Sequence, residues 1–171
     1  MRIAGRPVVF TLEIEGVSHD LQVFGFRTRE VLNQTYELDL ELVSERPDLD
    51  LEGLLHRPAF LCFGADGSGM HGLVYRVGQG DCGVRLSRYQ ITLAPHLAYL
   101  AHRRNQRIFQ NLSVPQIIAN VLSDHGMQAD AWHFQLSAEY PARVYCVQYQ
   151  ESDLHFIQRL CEEEGLQRGA G

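Results

Sequence analysis

The feature that most restricts how this chain folds is a strict two-residue alternation. It is cleanest over residues 35–43, TYELDLELV. Tyr36, Leu38, Leu40 and Leu42 fall on one side of an extended backbone, and Thr35, Glu37, Asp39 and Glu41 on the other. A helix would spread both sets around its axis; a strand with one buried and one wetted face keeps them apart. The same period runs through residues 8–15, VVFTLEIE, where Val8, Phe10, Leu12 and Ile14 oppose Thr11, Glu13 and Glu15. Residues 20–29, DLQVFGFRTR, form a further strand, bent or bulged at Gly25 because Phe24 and Phe26 fall opposite Val23.

Residues 58–63, PAFLCF, and 70–77, MHGLVYRV, flank the turn sequence GADGSG and predict a hairpin. Gly78, Gly80 and Gly83 predict the next turn, and residues 84–94, VRLSRYQITLA, the next long strand. A polar stretch around Pro47 and a helical turn near LEGLLH interrupt the series. Strand follows strand with almost no helix to cover them, so the first hundred residues are expected to form a small antiparallel barrel or strongly curled sheet.

After Pro95 the period becomes helical. In residues 107–126, RIFQNLSVPQIIANVLSDHG, Val114, Ile117, Ile118, Val121 and Leu122 make one stripe. Ser113 with Gln116 three residues on has capping-box spacing, Pro115 sits in the first turn, and Gly126 follows the last. A strand over 143–149, RVYCVQY, leads to a second helix in ESDLHFIQRLCEEEG. Ser152 or Asp153 caps it, Leu154, Phe156, Ile157, Leu160 and Cys161 form its buried side, and Gly165 ends it. The expected class is α+β and β-rich: an antiparallel barrel over residues 1–100, then a mixed segment with two amphipathic helices over 101–171.

Composition narrows the function. With 15 cationic and 21 acidic residues the net charge is −6, which opposes a general nucleic-acid role. Every cation is arginine, a residue suited to bidentate carboxylate contacts at protein interfaces. Charge is also segregated: residues 11–52 hold eleven acids against three arginines, and residues 53–110 hold two acids against seven arginines. No apolar run approaches the roughly 18 residues of a membrane span, and the N-terminus lacks a signal-peptide pattern. Cys62, Cys82, Cys146 and Cys161 are far apart and predict reduced thiols.

No catalytic or ligand motif stands out. His96 and His102 are six apart, His125 and His133 flank a turn, and none has zinc-site spacing. No metal and no cofactor is expected. Cys161 before three glutamates is poorly placed as a nucleophile. The enzymatic alternative is a small hydrolase with His96 or His102 beside a carboxylate in a deep pocket. The candidates for assembly contacts are charged. Arg103, Arg104 and Arg107 form a basic patch, read either as a docking site for an acidic protein surface or as a solvated connection. Glu162, Glu163 and Glu164 end the second helix against its dipole, so either another subunit supplies cations or solvent screens them. Arg159 offsets Glu163 at i,i+4. Glu37, Asp39 and Glu41 form an acidic strand face, either a wetted exterior or a channel wall.

The strings RIFQNLSVPQIIANVL (107–122) and YCVQYQESDLHFIQRLCEEEG (145–165) resemble the N-terminal region of the VgrG family, the spike proteins of type VI secretion, related to the hubs of contractile phage tails. The upstream strands, ending in Leu93-Ala94-Pro95, fit that family's first barrel. The resemblance implies a structural, non-catalytic hub. Residues 1–100 would be a tube-protein-like barrel and 101–171 the opening of a lateral hub domain. The family's second barrel, OB-like domain and spike would lie beyond this sequence. It implies a homotrimer docked on a hexameric Hcp-like tube, with baseplate proteins and effectors as further partners. Only the spike would touch a target membrane. The protein would assemble in the bacterial cytoplasm and leave through the secretion apparatus. A phage tail hub is the related alternative.

Overall fold

The structure, a computed structural model, describes residues 10–29, 35–64, 66–127 and 139–165. Val8, Ala65, His133 and the final residues 166–171 lie outside them. The chain forms two compact units, Met1–His96 and Leu97–Gly171.

The first unit is one antiparallel sheet of six strands: β1 (Thr11–Ile14), β2 (Gln22–Arg29), β3 (Glu37–Ser44), β4 (Pro58–Cys62), β5 (Gly69–Cys82) and β6 (Ser87–Ala94). Their order across the sheet is β1-β4-β5-β6-β3-β2. The alternation in β3 has the expected consequence. Leu38, Leu40 and Leu42 are fully buried with Leu61, Ile91 and Leu93, while Glu37, Asp39 and Glu41 lie on the opposite face. Each such leucine contributes about 1.5–3 kcal/mol gross by leaving water. A 3-10 turn over Glu52–Leu54 tucks Leu54 into this core.

The sheet curls so that its end strands approach, but β1 and β2 carry no ladder between them. Aromatic rings close the seam instead. Phe26 meets Phe10 edge-on at 5.1 Å and stacks on Phe63 at 5.9 Å. The register of β2 shifts between Val23 and Gly25, where the bulge was expected. The result is a curled half-barrel with a side-chain seam.

The expected turn at Gly78 and Gly80 is not a turn. Strand β5 continues through both to Cys82, with register shifts at Val74/Arg76 and Gln79/Cys82. Glycine marks a bulge here rather than a reversal. The reversal is confined to Gly83–Leu86, closed by the Gly83 amide donating to the Leu86 carbonyl at 2.9 Å.

A 3-10 helix, His96–His102, begins at the last residue of the first unit, and the second unit then pairs β7 (Arg104–Leu112) antiparallel with β8 (Arg143–Ser152). Helices α1 (Val114–Asp124) and α2 (Asp153–Glu164) bring their stripes together around Ile117, Ile118, Val121, Phe156, Ile157 and Leu160. Gln116 accepts hydrogen bonds from the Ser113 amide at 2.9 Å and hydroxyl at 3.1 Å. Ser152 caps α2 by accepting from the His155 amide at 3.1 Å, and Gly165 ends it with φ of 65°. Strand β7 was not legible in the sequence. Its inward positions include Asn105 and Arg107, polar residues that break the hydrophobic alternation.

Candidate assembly surfaces

The nine charged residues singled out above do not converge; they occupy three places. In the first unit, Arg27, Asp39, Thr92 and Arg76 form one cross-strand row on the outer sheet face, and Gly25, Glu41, Gln90 and Gly78 the next. Together with Phe24 and Phe26 they line a groove of about 510 Å³. Thr92 Oγ1 donates to Asp39 at 2.7 Å, Arg76 pairs with Glu37 at 2.6 Å, and Glu41 is exposed. The acidic face is therefore partly answered from within its own sheet.

In the second unit the arginines separate by role. Arg104 is exposed and donates to the Gln150 carbonyl. Arg107 turns inward: Nη2 reaches Asp153 at 2.6 Å, Nη1 reaches Asp124 at 2.6 Å, and Nε donates to Gln148 Oε1 at 3.0 Å. Arg103 lies 3.9 Å from Asp153. Arg103 and Arg104 thus stay exposed at the start of β7, whereas Arg107 joins a cluster around a carboxylate 48 residues away in sequence from Asn105.

That carboxylate, Asp153, is wholly buried. Asn105 Nδ2 donates to both its oxygens at 2.9 and 3.0 Å. Gln148 Nε2 donates to Oδ1 at 2.7 Å, and His125 Nε2 lies 2.7 Å from Oδ2. Burial pushes the Asp153 carboxyl up, but the hydrogen bonds from Asn105, Gln148 and His125 and the charge of Arg107 outweigh it and hold the group below the usual carboxylate range. A buried charge persists only with this degree of satisfaction. The cluster ties β7, β8, the end of α1 and the start of α2 together.

The glutamates at the end of α2 also find cations inside the chain. Arg143 pairs with Glu163 at 2.8 Å and Glu164 at 2.5 Å; Arg159 pairs with Glu163 at 2.8 Å and Glu151 at 2.7 Å. Neither bare solvent nor another subunit is needed to offset Glu163 and Glu164. Side-chain hydrogen bonds from Arg143 and Arg159 hold the Glu163 carboxyl below its ordinary value against a smaller desolvation effect. Glu162 is exposed.

Sequence reasoning offered Asp153 only as a helix cap and gave Asn105, His125 and Gln148 no role. The signal available was Asp153 beside a better cap, Ser152. Neither described groove includes His96 or His102: one is the sheet-face groove and the other is lined by Arg104, Asn105, Gln106 and Gln150. Among the described residues no group of three or more His, Cys, Asp or Glu side chains is placed to hold a metal ion. None of the described helices is long and apolar enough to cross a membrane.

The family model described as phage tail baseplate hub matches residues 29–167. The type VI secretion system spike protein VgrG4b of Pseudomonas aeruginosa is 62% identical over 157 residues, 92% of this chain and 19% of that protein. VgrG5 of the same organism is 57% identical over 158 residues, 92% of this chain and 20% of its own length. Among solved structures, an Escherichia coli component of the type VI secretion system, described as structurally similar to bacteriophage T4 tail proteins, matches with a TM-score of 0.85 and 31% identity. That match covers 90% of this chain and 43% of the other. This chain therefore spans about a fifth of the curated relatives it matches. The chain belongs to the phage tail baseplate hub family, and the spike proteins VgrG4b and VgrG5 are similar to it over 92% of its length.

Proposed function

We propose that this chain is the tube-facing end of a type VI secretion spike: a structural hub module that docks on an Hcp-like hexameric tube. One observation carries the reading. The chain matches, over 90% of its length and with a TM-score of 0.85, a type VI secretion component described as structurally similar to phage tail proteins. In this reading residues 1–100 form the tube-like barrel and residues 101–171 open the lateral domain. Three copies of the longer hub assemble on the tube and baseplate, and contraction carries spike and effectors out of the cell. The charged rows of the outer sheet face, with Glu37, Asp39 and Glu41, supply polar contacts within that assembly. Arg103, Arg104 and the exposed Glu162 do so from the second unit, whereas Arg107, Glu163 and Glu164 serve the fold.

A spike-exchange assay tests this. Residues 1–165 of this chain replace the matching region of the Pseudomonas aeruginosa relative, in a strain lacking its own spike proteins. Secretion of tube protein into the medium is expected to return. Folded but secretion-inactive exchange protein would overturn the reading.

A further inference from the structure

The turn between β5 and β6 breaks the local rules for a hairpin. Its closing residues are Gly83 and Leu86, joined by the Gly83 amide donating to the Leu86 carbonyl at 2.9 Å. Val84 and Arg85 are left as the loop between them. Loops this short favour glycine, asparagine or aspartate, which reach the positive φ of the turns that match strand twist. Neither Val84 nor Arg85 takes a positive φ, and valine brings strand preference without turn chemistry. Val84 is also fully exposed, and Leu86 exposes 46% of its surface. The fold gains nothing from aliphatic side chains left in water at this point. Residues that contradict local preference without a gain in the fold mark a functional place.

The turn is held firmly from below. Ser87, which pairs with Cys82 just inside it, is buried. Buried Tyr89 donates its hydroxyl to the Arg46 carbonyl at 2.6 Å, and Gln79 Nε2 on the facing strand donates to the Pro47 carbonyl at 2.8 Å. Both strands are thus braced against the segment after β3, so Val84, Arg85 and Leu86 are presented ready-made, which lowers the cost of binding. Their character defines the partner. Two aliphatic side chains call for an apolar socket, and exposed Arg85 calls for a carboxylate at its rim. The groove on the chain's own outer sheet face does not fit. Arg88 already stacks over Phe24 at 5.8 Å, and Arg27 and Arg76 balance Asp39 and Glu41 there. Three residues are also few beside the roughly 20–30 a side of a stable, freely diffusing complex. A contact so small holds when several identical turns meet several identical sockets at once, because each raises the effective concentration of the next. A ring of repeated subunits meets that need.

We infer that the Val84–Leu86 turn is a preformed plug, seated in an acid-rimmed apolar socket repeated around the end of the hexameric tube. This rests on the hub reading given above and adds the element that makes the contact. Another copy of this chain is the competing occupant.

Thiol protection tests this on the exchange spike that carries residues 1–165 of this chain. Cys82 is exposed beside the turn and serves as a native probe. Maleimide labelling of Cys82 is followed by peptide mass spectrometry, with and without tube hexamer. Fast labelling of the free spike is expected, slowing roughly tenfold with hexamer at about ten times its dissociation constant. A double variant, Val84→Asn with Arg85→Gly, installs the preferred turn. It is expected to leave the melting temperature unchanged or raised and to weaken hexamer binding roughly tenfold. A lower melting temperature would mean that the pair serves the hairpin itself, and would overturn the inference. So would a bound hexamer that leaves Cys82 labelling fast, or that holds the double variant as tightly as the parent; the hub reading survives both results. Slow labelling of the free spike would also overturn it, because another copy would already cover the turn. A parent spike that leaves the hexamer unbound sinks the hub reading and this inference together.

Discussion

Asp153 takes a full negative charge out of water in the middle of the second unit and replaces that water with donors from three other segments of chain. Removing the charge leaves Arg107 and His125 facing an uncompensated site. Asp153→Ala is therefore expected to cost about 3 kcal/mol, with amide exchange rising in β7, β8, α1 and α2; unchanged exchange there would refute the role given to it. The same group predicts an acid dependence. Its folded-state value lies below the ordinary carboxylate value. The associated stability is present above the unfolded value and is lost as pH falls through the folded one. Thermal stability is expected to be flat above about pH 5 and to fall below it, with a shallower fall in Asp153→Asn. Glu151 and Glu163 add in the same direction, since both lie below their usual range. A loss beginning on the alkaline side would have the wrong sign for all three. None of this was legible in the sequence, because an aspartate after a serine cap looks like part of the cap. Its true partners, Asn105, Arg107, His125 and Gln148, lie on three other segments.

Elements whose pattern is local were legible, and those whose pattern is set by distant partners were not. The β3 alternation, the stripes of α1 and α2, the Gly25 bulge and the glycine stop at Gly165 each follow from a few adjacent residues. Strand β7 does not: Asn105 and Arg107 occupy inward positions because a carboxylate waits there, and that carboxylate belongs to α2. Gly78 and Gly80 misled for a related reason, since a glycine permits a turn but also permits a bulge in a long strand. The caps give a direct check at this scale. Ser152→Ala removes the hydroxyl that accepts from His155 and is expected to destabilise by about 1 kcal/mol in chemical denaturation. Leu40→Ala, in the fully buried row of β3, is expected to cost about 2–5 kcal/mol. A Leu40 variant as stable as the parent would mean that the curled sheet does not enclose the core described.

At the scale of the whole molecule, ion pairs concentrate in the second unit, where Arg107, Arg143 and Arg159 answer its buried and helix-end carboxylates. What remains outward on the first unit is a polar groove on its sheet and an apolar turn between β5 and β6. Both are features of a module that is built upon, and the matches to spike and hub proteins agree with that. The family was legible because two local strings, 107–122 and 145–165, carry it. The measurement closest to the central claim is native mass spectrometry of the longer spike, with this chain as its first 165 residues, mixed with hexameric tube protein. The account predicts a complex of three hub chains on one tube hexamer, weakened by charge reversal at Glu41. A folded spike that leaves the hexamer unbound, or binds it as a single chain, would contradict it.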